Sequence, residues 1–122
     1  MKHKLLFIAM LALFMGAFCS CDKKDQVTQN NPVLYVVNGT GYSVNVYCDN
    51  HLVTSAGAHN NSGKVVLSNV SINFPVYVEA EFYDSKGKVV NKYDWSNYYF
   101  QWNKTYKMTL TTSSSTSMIT AL

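Results

Sequence analysis

Hydrophobic and polar positions alternate with a period of two along most of the chain between Val33 and Leu110, the signature of half-buried β-strands. Val44, Val46 and Cys48 fall on one face of Tyr42–Cys48, with Ser43, Asn45 and Tyr47 on the other. Val76, Val78, Ala80 and Phe82 likewise oppose Tyr77, Glu79, Glu81 and Tyr83, and Tyr106, Met108 and Leu110 align in Thr105–Leu110. Together with Val33–Asn38, Leu52–Ser55, Lys64–Leu67 and Lys88–Trp95 these segments predict seven strands at about ten-residue spacing. Turn chemistry separates them: Asn38-Gly39-Thr40-Gly41, Asp49-Asn50, the loop Gly57–Gly63, and Asp84-Ser85-Lys86-Gly87, where glycine supplies a positive φ. No segment of ten or more residues carries the 3.6-residue period of a helix.

Amphipathic strands without helices bury their apolar faces by packing sheet on sheet. The expected fold is therefore all-β: a single immunoglobulin- or transthyretin-like sandwich of about seven antiparallel strands, with a small barrel as the alternative. Fourteen valines and all nine tyrosines lie beyond Cys21, and both residue types favour a pleated surface. The run Val36–Tyr47, with Asn38-Gly39-Thr40-Gly41-Tyr42 at its centre, resembles the first hairpin of bacterial surface modules of this kind.

The amino-terminal pattern is different. Lys2, His3 and Lys4 precede an apolar run of about fourteen residues, Leu5–Phe18, the layout of a secretory signal. That run is short of the about 20 residues needed to cross a bilayer as a helix. Phe18-Cys19-Ser20-Cys21 resembles a lipobox, the motif read by the bacterial lipoprotein-processing machinery. Cys21 follows the small Ser20 and is the expected lipidation site, whereas Cys19 follows the bulky Phe18. Through Asp22-Lys23-Lys24-Asp25 the segment is similar to small cell-envelope lipoproteins of the Bacteroides group. The resemblance implies a thioether-linked, N-acylated (palmitate-type) Cys21 holding the protein in the outer membrane, with the charged tract going with export to the surface. An aspartate directly after the cysteine goes with inner-membrane retention in enteric bacteria, so the leaflet stays open. The expected organisation is a signal peptide over 1–20, lipidated Cys21 and a tether over 21–31, a β-domain over 32–111, and a flexible polar tail over 112–122.

Setting the signal apart changes what composition says. The whole chain is 48% apolar with a net charge of +3. From Cys21 onward eight lysines oppose seven acids, which leaves 8 − 7 = +1, and there is no arginine. A near-neutral module without arginine is not a nucleic-acid binder. About 102 residues make one domain, too short for a dinucleotide-binding or TIM-barrel enzyme.

Candidate chemistry is sparse. Cys48 sits in an apolar stripe and reads as a small buried hydrophobe; with Cys21 acylated it has no disulfide partner. His51 and His59 lie in or beside one loop with Asp49, without a paired metal-ligand spacing, so no metal and no cofactor is expected. Glu79 and Glu81 share a strand face at about 6.5–7 Å, near the separation of paired glycosidase carboxylates. An exposed sheet offers neither a cleft nor a raised pKa, and Lys86, Lys88 and Lys92 are natural partners for the pair. The segment Trp95-Ser96-Asn97-Tyr98-Tyr99-Phe100-Gln101-Trp102 packs five aromatics into eight residues. Buried, it plugs one end of the sandwich; exposed, Trp95, Tyr98, Tyr99 and Trp102 would stack on sugar rings. The expected function is a lipid-anchored, non-catalytic structural or interaction module, with an envelope protein or polysaccharide as partner. A glycan-binding accessory module is the alternative, and a small hydrolase the more remote one.

Overall fold

A computed structural model describes residues 29–122. The signal peptide 1–20, Cys21 and the tether up to residue 28 lie outside the described residues.

Eight strands form two sheets of four: β1 (Val33–Asn38), β2 (Ser43–Cys48), β3 (His51–Ala56), β4 (Val65–Val66), β5 (Pro75–Tyr83), β6 (Val89–Tyr99), β7 (Thr105–Leu110) and β8 (Met118–Ala121). One sheet runs β4-β1-β7-β8 and the other β3-β2-β5-β6. The protein is an all-β sandwich, and six strands lie within about a residue or two of the segments that the alternation predicts. Two features differ from the expected set of seven antiparallel strands. β1 and β7 pair in parallel, Val33 opposite Thr105 through Asn38 opposite Leu110, because both start at the same end of the sandwich. The eighth strand comes from the polar carboxyl terminus, where Met118–Ala121 pairs antiparallel with Tyr106–Thr109.

The alternation decides the core. Leu34, Val36, Met108 and Leu110 meet Val44, Val46, Val76, Val78, Ala80 and Phe82 across the interface between the sheets, all 0–1% exposed. Phe100 closes one end of this core, edge-on to Tyr98 and Tyr106 at ring-centroid distances of 5.0 Å each.

Strand directions sort the loops into two ends. The start of β1, the β2–β3 turn at Asp49-Asn50, the loop before β5, the β6–β7 loop and Leu122 share one end, here the tether end. Residues 39–42, 57–64, 84–88 and 111–117 share the opposite end. Asp49 (φ 49°) and Asn50 (φ 69°) are both left-handed, as a two-residue hairpin loop requires. Gly87 takes φ 81° in the β5–β6 turn, where the Asp84 carboxylate accepts from the Lys86 and Lys88 amides, both at 2.9 Å.

Two polar side chains substitute for missing ladder partners. β4 covers only Val33 and Leu34 of β1. Beyond it Ser62 donates its amide to the Val36 carbonyl (2.8 Å) and accepts the Val36 amide on Oγ (2.9 Å). Asn38, 1% exposed, donates to the Tyr42 and Gly57 carbonyls at 2.7 and 2.9 Å and accepts the Thr40 amide and hydroxyl at 3.0 and 2.7 Å. The Asn-Gly-Thr-Gly turn is thus tied to the core by a fully bonded asparagine. Gly39 beside it packs closely, since a Cβ there would meet the Leu110 carbonyl oxygen at 3.0 Å.

Candidate functional site

The aromatic segment does not form a single face. β6 continues through it to Tyr99, past a bulge where the register shifts between Val76 and Val78 and Asn97 takes φ 56°. Consecutive strand residues point to opposite sides, so Tyr98 turns inward against Phe100 and Tyr106 while Tyr99 is exposed. Trp95 is half-buried against the core, and Trp102 is half-buried in the loop that follows. Of the four candidate stacking residues, Trp95 and Tyr98 thus contribute to core packing, and Tyr99 and Trp102 lie at the tether end.

The outer face of the second sheet carries a hydrogen-bonded polar network. The Tyr83 hydroxyl donates to the Glu81 carboxylate and lies 3.3 Å from the Tyr47 hydroxyl. Lys92 Nζ, on the neighbouring strand, is 3.4 Å from Glu81. The Tyr83 bond and the lysine together hold the Glu81 carboxyl below the ordinary carboxylate range, and the same bond pushes the Tyr83 phenol up. Glu79 faces Asp94 directly across the ladder, and the Tyr77 hydroxyl lies between them, 3.3 and 3.2 Å from the two carboxylates. The Tyr77 phenol is raised by desolvation and by those carboxylates. A glycosidase acid needs one carboxyl pushed up, and Glu81 is pushed down.

Cys48 is 3% exposed, and burial, with the Asp49 charge as a smaller cause, pushes its thiol up to about 12. It stays protonated near neutral pH, the reverse of an activated nucleophile. The histidines correct the single-loop reading. His51 begins β3 at the tether end, while His59 follows β3 at the opposite end, so the strand itself separates them. Among the described residues no three His, Cys, Asp or Glu side chains converge on a common point.

A concavity of another kind lies elsewhere. β3 and β4 are the edge strands of their two sheets on the same side of the sandwich. Because β4 has only two residues, the sheets part there into an open cleft of about 530 Å³. Leu52, Val53, Val65, Val66 and Val70 line it together with the polar His51, Ser68 and Asn69, and Cys48 and Leu67 border it as well. Leu52 and Val66 are each 58% exposed. The β3 edge, His51-Leu52-Val53-Thr54-Ser55-Ala56, carries no lysine, acid or proline. Charges and proline are two of the devices that discourage pairing at a sheet edge; a third, a bulge, is present at Val53, where the register against β2 shifts between Val46 and Tyr47.

No protein-family model and no curated protein matches this chain. The reading of its site therefore rests on the chain's own residues. Sequence patterning missed the cleft because β3 and β4, though consecutive in the chain, join different sheets, and only that pairing leaves a gap between them. The signals available were the shortness of the Lys64–Leu67 segment and the absence of charge from 51–56.

Proposed function

We propose that the protein is a lipid-anchored interaction module of the bacterial cell envelope, held by acylated Cys21 and without catalytic activity of its own. Its partner is an extended segment of another envelope protein, which adds a strand to the β3 edge and sets apolar side chains into the cleft beside it. The observation that carries this reading is an edge strand without lysine, acid or proline next to a cleft whose lining mixes Leu52, Val53, Val65, Val66 and Val70 with Ser68 and Asn69. An added strand gains main-chain hydrogen bonds from the edge and side-chain burial from the cleft. The Cys21 assignment is supported by the lipobox-like Phe18-Cys19-Ser20-Cys21 after the apolar run.

Two measurements test the reading. Acyl labelling of the full chain should mark the wild type and be lost in Cys21→Ser; persistent labelling would move the anchor to another residue. A photo-crosslinking side chain placed at Leu52 in intact cells should give one discrete adduct, suppressed by Val66→Lys. The same probe at Thr112, away from the cleft, should give none. Adducts from both positions, or from neither, count against the cleft. For the glycan alternative the remaining candidates are the exposed Tyr99 and the half-buried Trp102. Tryptophan emission that responds to an envelope polysaccharide, and ceases to do so in Tyr99→Ala, would favour that reading instead.

A further inference from the structure

We infer that the tether end of the sandwich is a lipid-contacting surface, with Phe74, Tyr99 and Trp102 resting in the headgroup region of the membrane that holds the anchor. The inference builds on the proposed acylation of Cys21. Seven residues separate Cys21 from Gln29, the first described residue. Eight peptide steps span at most about 28 Å, so the end where the chain joins the domain is held within that distance of the acylated residue. That end is fixed by the fold: the Asn103 amide donates to the Asn30 carbonyl, and Asn30 donates its amide to Asn103 Oδ1, each at 2.8 Å. The chain thus reaches the domain through the same loop that carries Trp102.

The apolar groups exposed at this end are of the kind an interface selects. Phe74 is 66% exposed and Tyr99 52%. Their strands are in register, with Pro75 opposite Tyr99 and the Asn73 amide bonded to the Phe100 carbonyl at 2.8 Å. Aromatic side chains favour the headgroup layer because a ring is apolar in body and polarisable or polar at its edge. Lys104, exposed on the Trp102 loop, is placed to meet lipid phosphate. The Asp49 carboxylate lies at this end, which limits the contact to the hydrated headgroup layer rather than the hydrocarbon. At the opposite end the exposed large apolar residues are Val89, Val90 and Met118, with Tyr42 as a single aromatic. A weak aromatic contact suffices here, because the anchor already supplies a high effective concentration of membrane.

The test uses the acylated full chain with Trp95→Phe, which leaves Trp102 as the sole tryptophan. It is reconstituted into phosphatidylethanolamine–phosphatidylglycerol vesicles with or without bromine near the lipid carbonyls. Bromine should lower Trp102 emission by about twofold, and Phe74→Ser with Tyr99→Ser should abolish most of that loss. Tyr42→Ser should leave it unchanged. An unchanged urea midpoint shows that the exposed-site variants still fold. Vesicle-bound, acylated protein whose emission ignores bromine overturns the orientation and leaves the anchor standing. Protein that carries no acyl mass and does not float with vesicles overturns the anchor, and the orientation with it. Shielding of Trp102 that follows protein density rather than bromine assigns the surface to a second copy of the chain and overturns the membrane assignment.

Discussion

At the scale of single residues, the polar groups inside the sandwich are few and fully bonded, and their loss should be expensive. Asn38 makes four hydrogen bonds in a site 1% exposed. Asn38→Ala would leave the Thr40 amide without its acceptor, while the Tyr42 and Gly57 carbonyls keep the Thr40 hydroxyl and the Asn60 amide, and is expected to lower stability by about 1–3 kcal/mol, read from urea unfolding. Cys48 behaves as the reverse of a reactive thiol. In the folded protein its alkylation at pH 8 should be slower than that of a denatured sample by the unfolding equilibrium, and rapid native-state labelling would contradict its burial. The buried cysteine was legible from its place in the Val44–Val46 stripe. The role of Asn38 was not, because the motif at 38–41 reads as turn chemistry whether or not its first residue is buried.

At the scale of elements, the exposed sheet face holds a charge conflict that substitution can relieve. Glu79 and Asp94 are paired across the β5–β6 ladder with one phenol between them. Asp94→Lys should place opposite charges there and raise stability by about 0.3–1 kcal/mol, less at high salt. β8 is an element that composition disguised. The tract Thr111–Ser117 is uniformly Ser/Thr and reads as a polar tail. Its hydroxyls bond locally: the Ser113 side chain caps the short 3-10 turn Ser114–Thr116, and Ser117 Oγ accepts the Thr111 amide at 2.9 Å. This returns the chain for Met118–Ala121 to pair with β7. Truncation after Thr111 should therefore cost about 1–3 kcal/mol and speed amide exchange across Tyr106–Thr109; unchanged exchange would show that β8 does not protect β7.

At the scale of the whole molecule, the titrating groups set how stability depends on pH. In the unfolded chain Cys48 ionises near the ordinary thiol value, while in the fold it holds its proton to about 12. The unfolded state thus gains stability first as pH rises, and native stability should fall from about pH 9 upward, by as much as about 4 kcal/mol from this group. The raised Tyr77, Tyr83 and Tyr98 phenols act in the same direction above their ordinary value. The Glu81 carboxyl, held low, acts on the acid side, where its contribution is present above the ordinary carboxylate range and lost as pH falls. Urea midpoints should be flat from about pH 5 to 8 and decline on both sides. Cys48→Ala should flatten the alkaline limb between about pH 9 and 10.5; an unaltered limb would remove Cys48 as its cause.

Period-two alternation determined by itself the all-β class and which residues face inward in β2, β5 and β7, and turn chemistry placed the turns at 38–41, 49–50 and 84–87. Those features depend on neighbours within about ten residues, and the pleat turns a local pattern directly into a face. What only the tertiary structure decided depends on which strands meet: the parallel pairing of β1 with β7, the addition of β8, the separation of His51 from His59, and the cleft between β3 and β4. The division of the aromatic segment belongs here too. Whether Tyr98 or Tyr99 turns inward is set by the register of β6 against β5 across the bulge at Asn97, which aromatic composition does not encode.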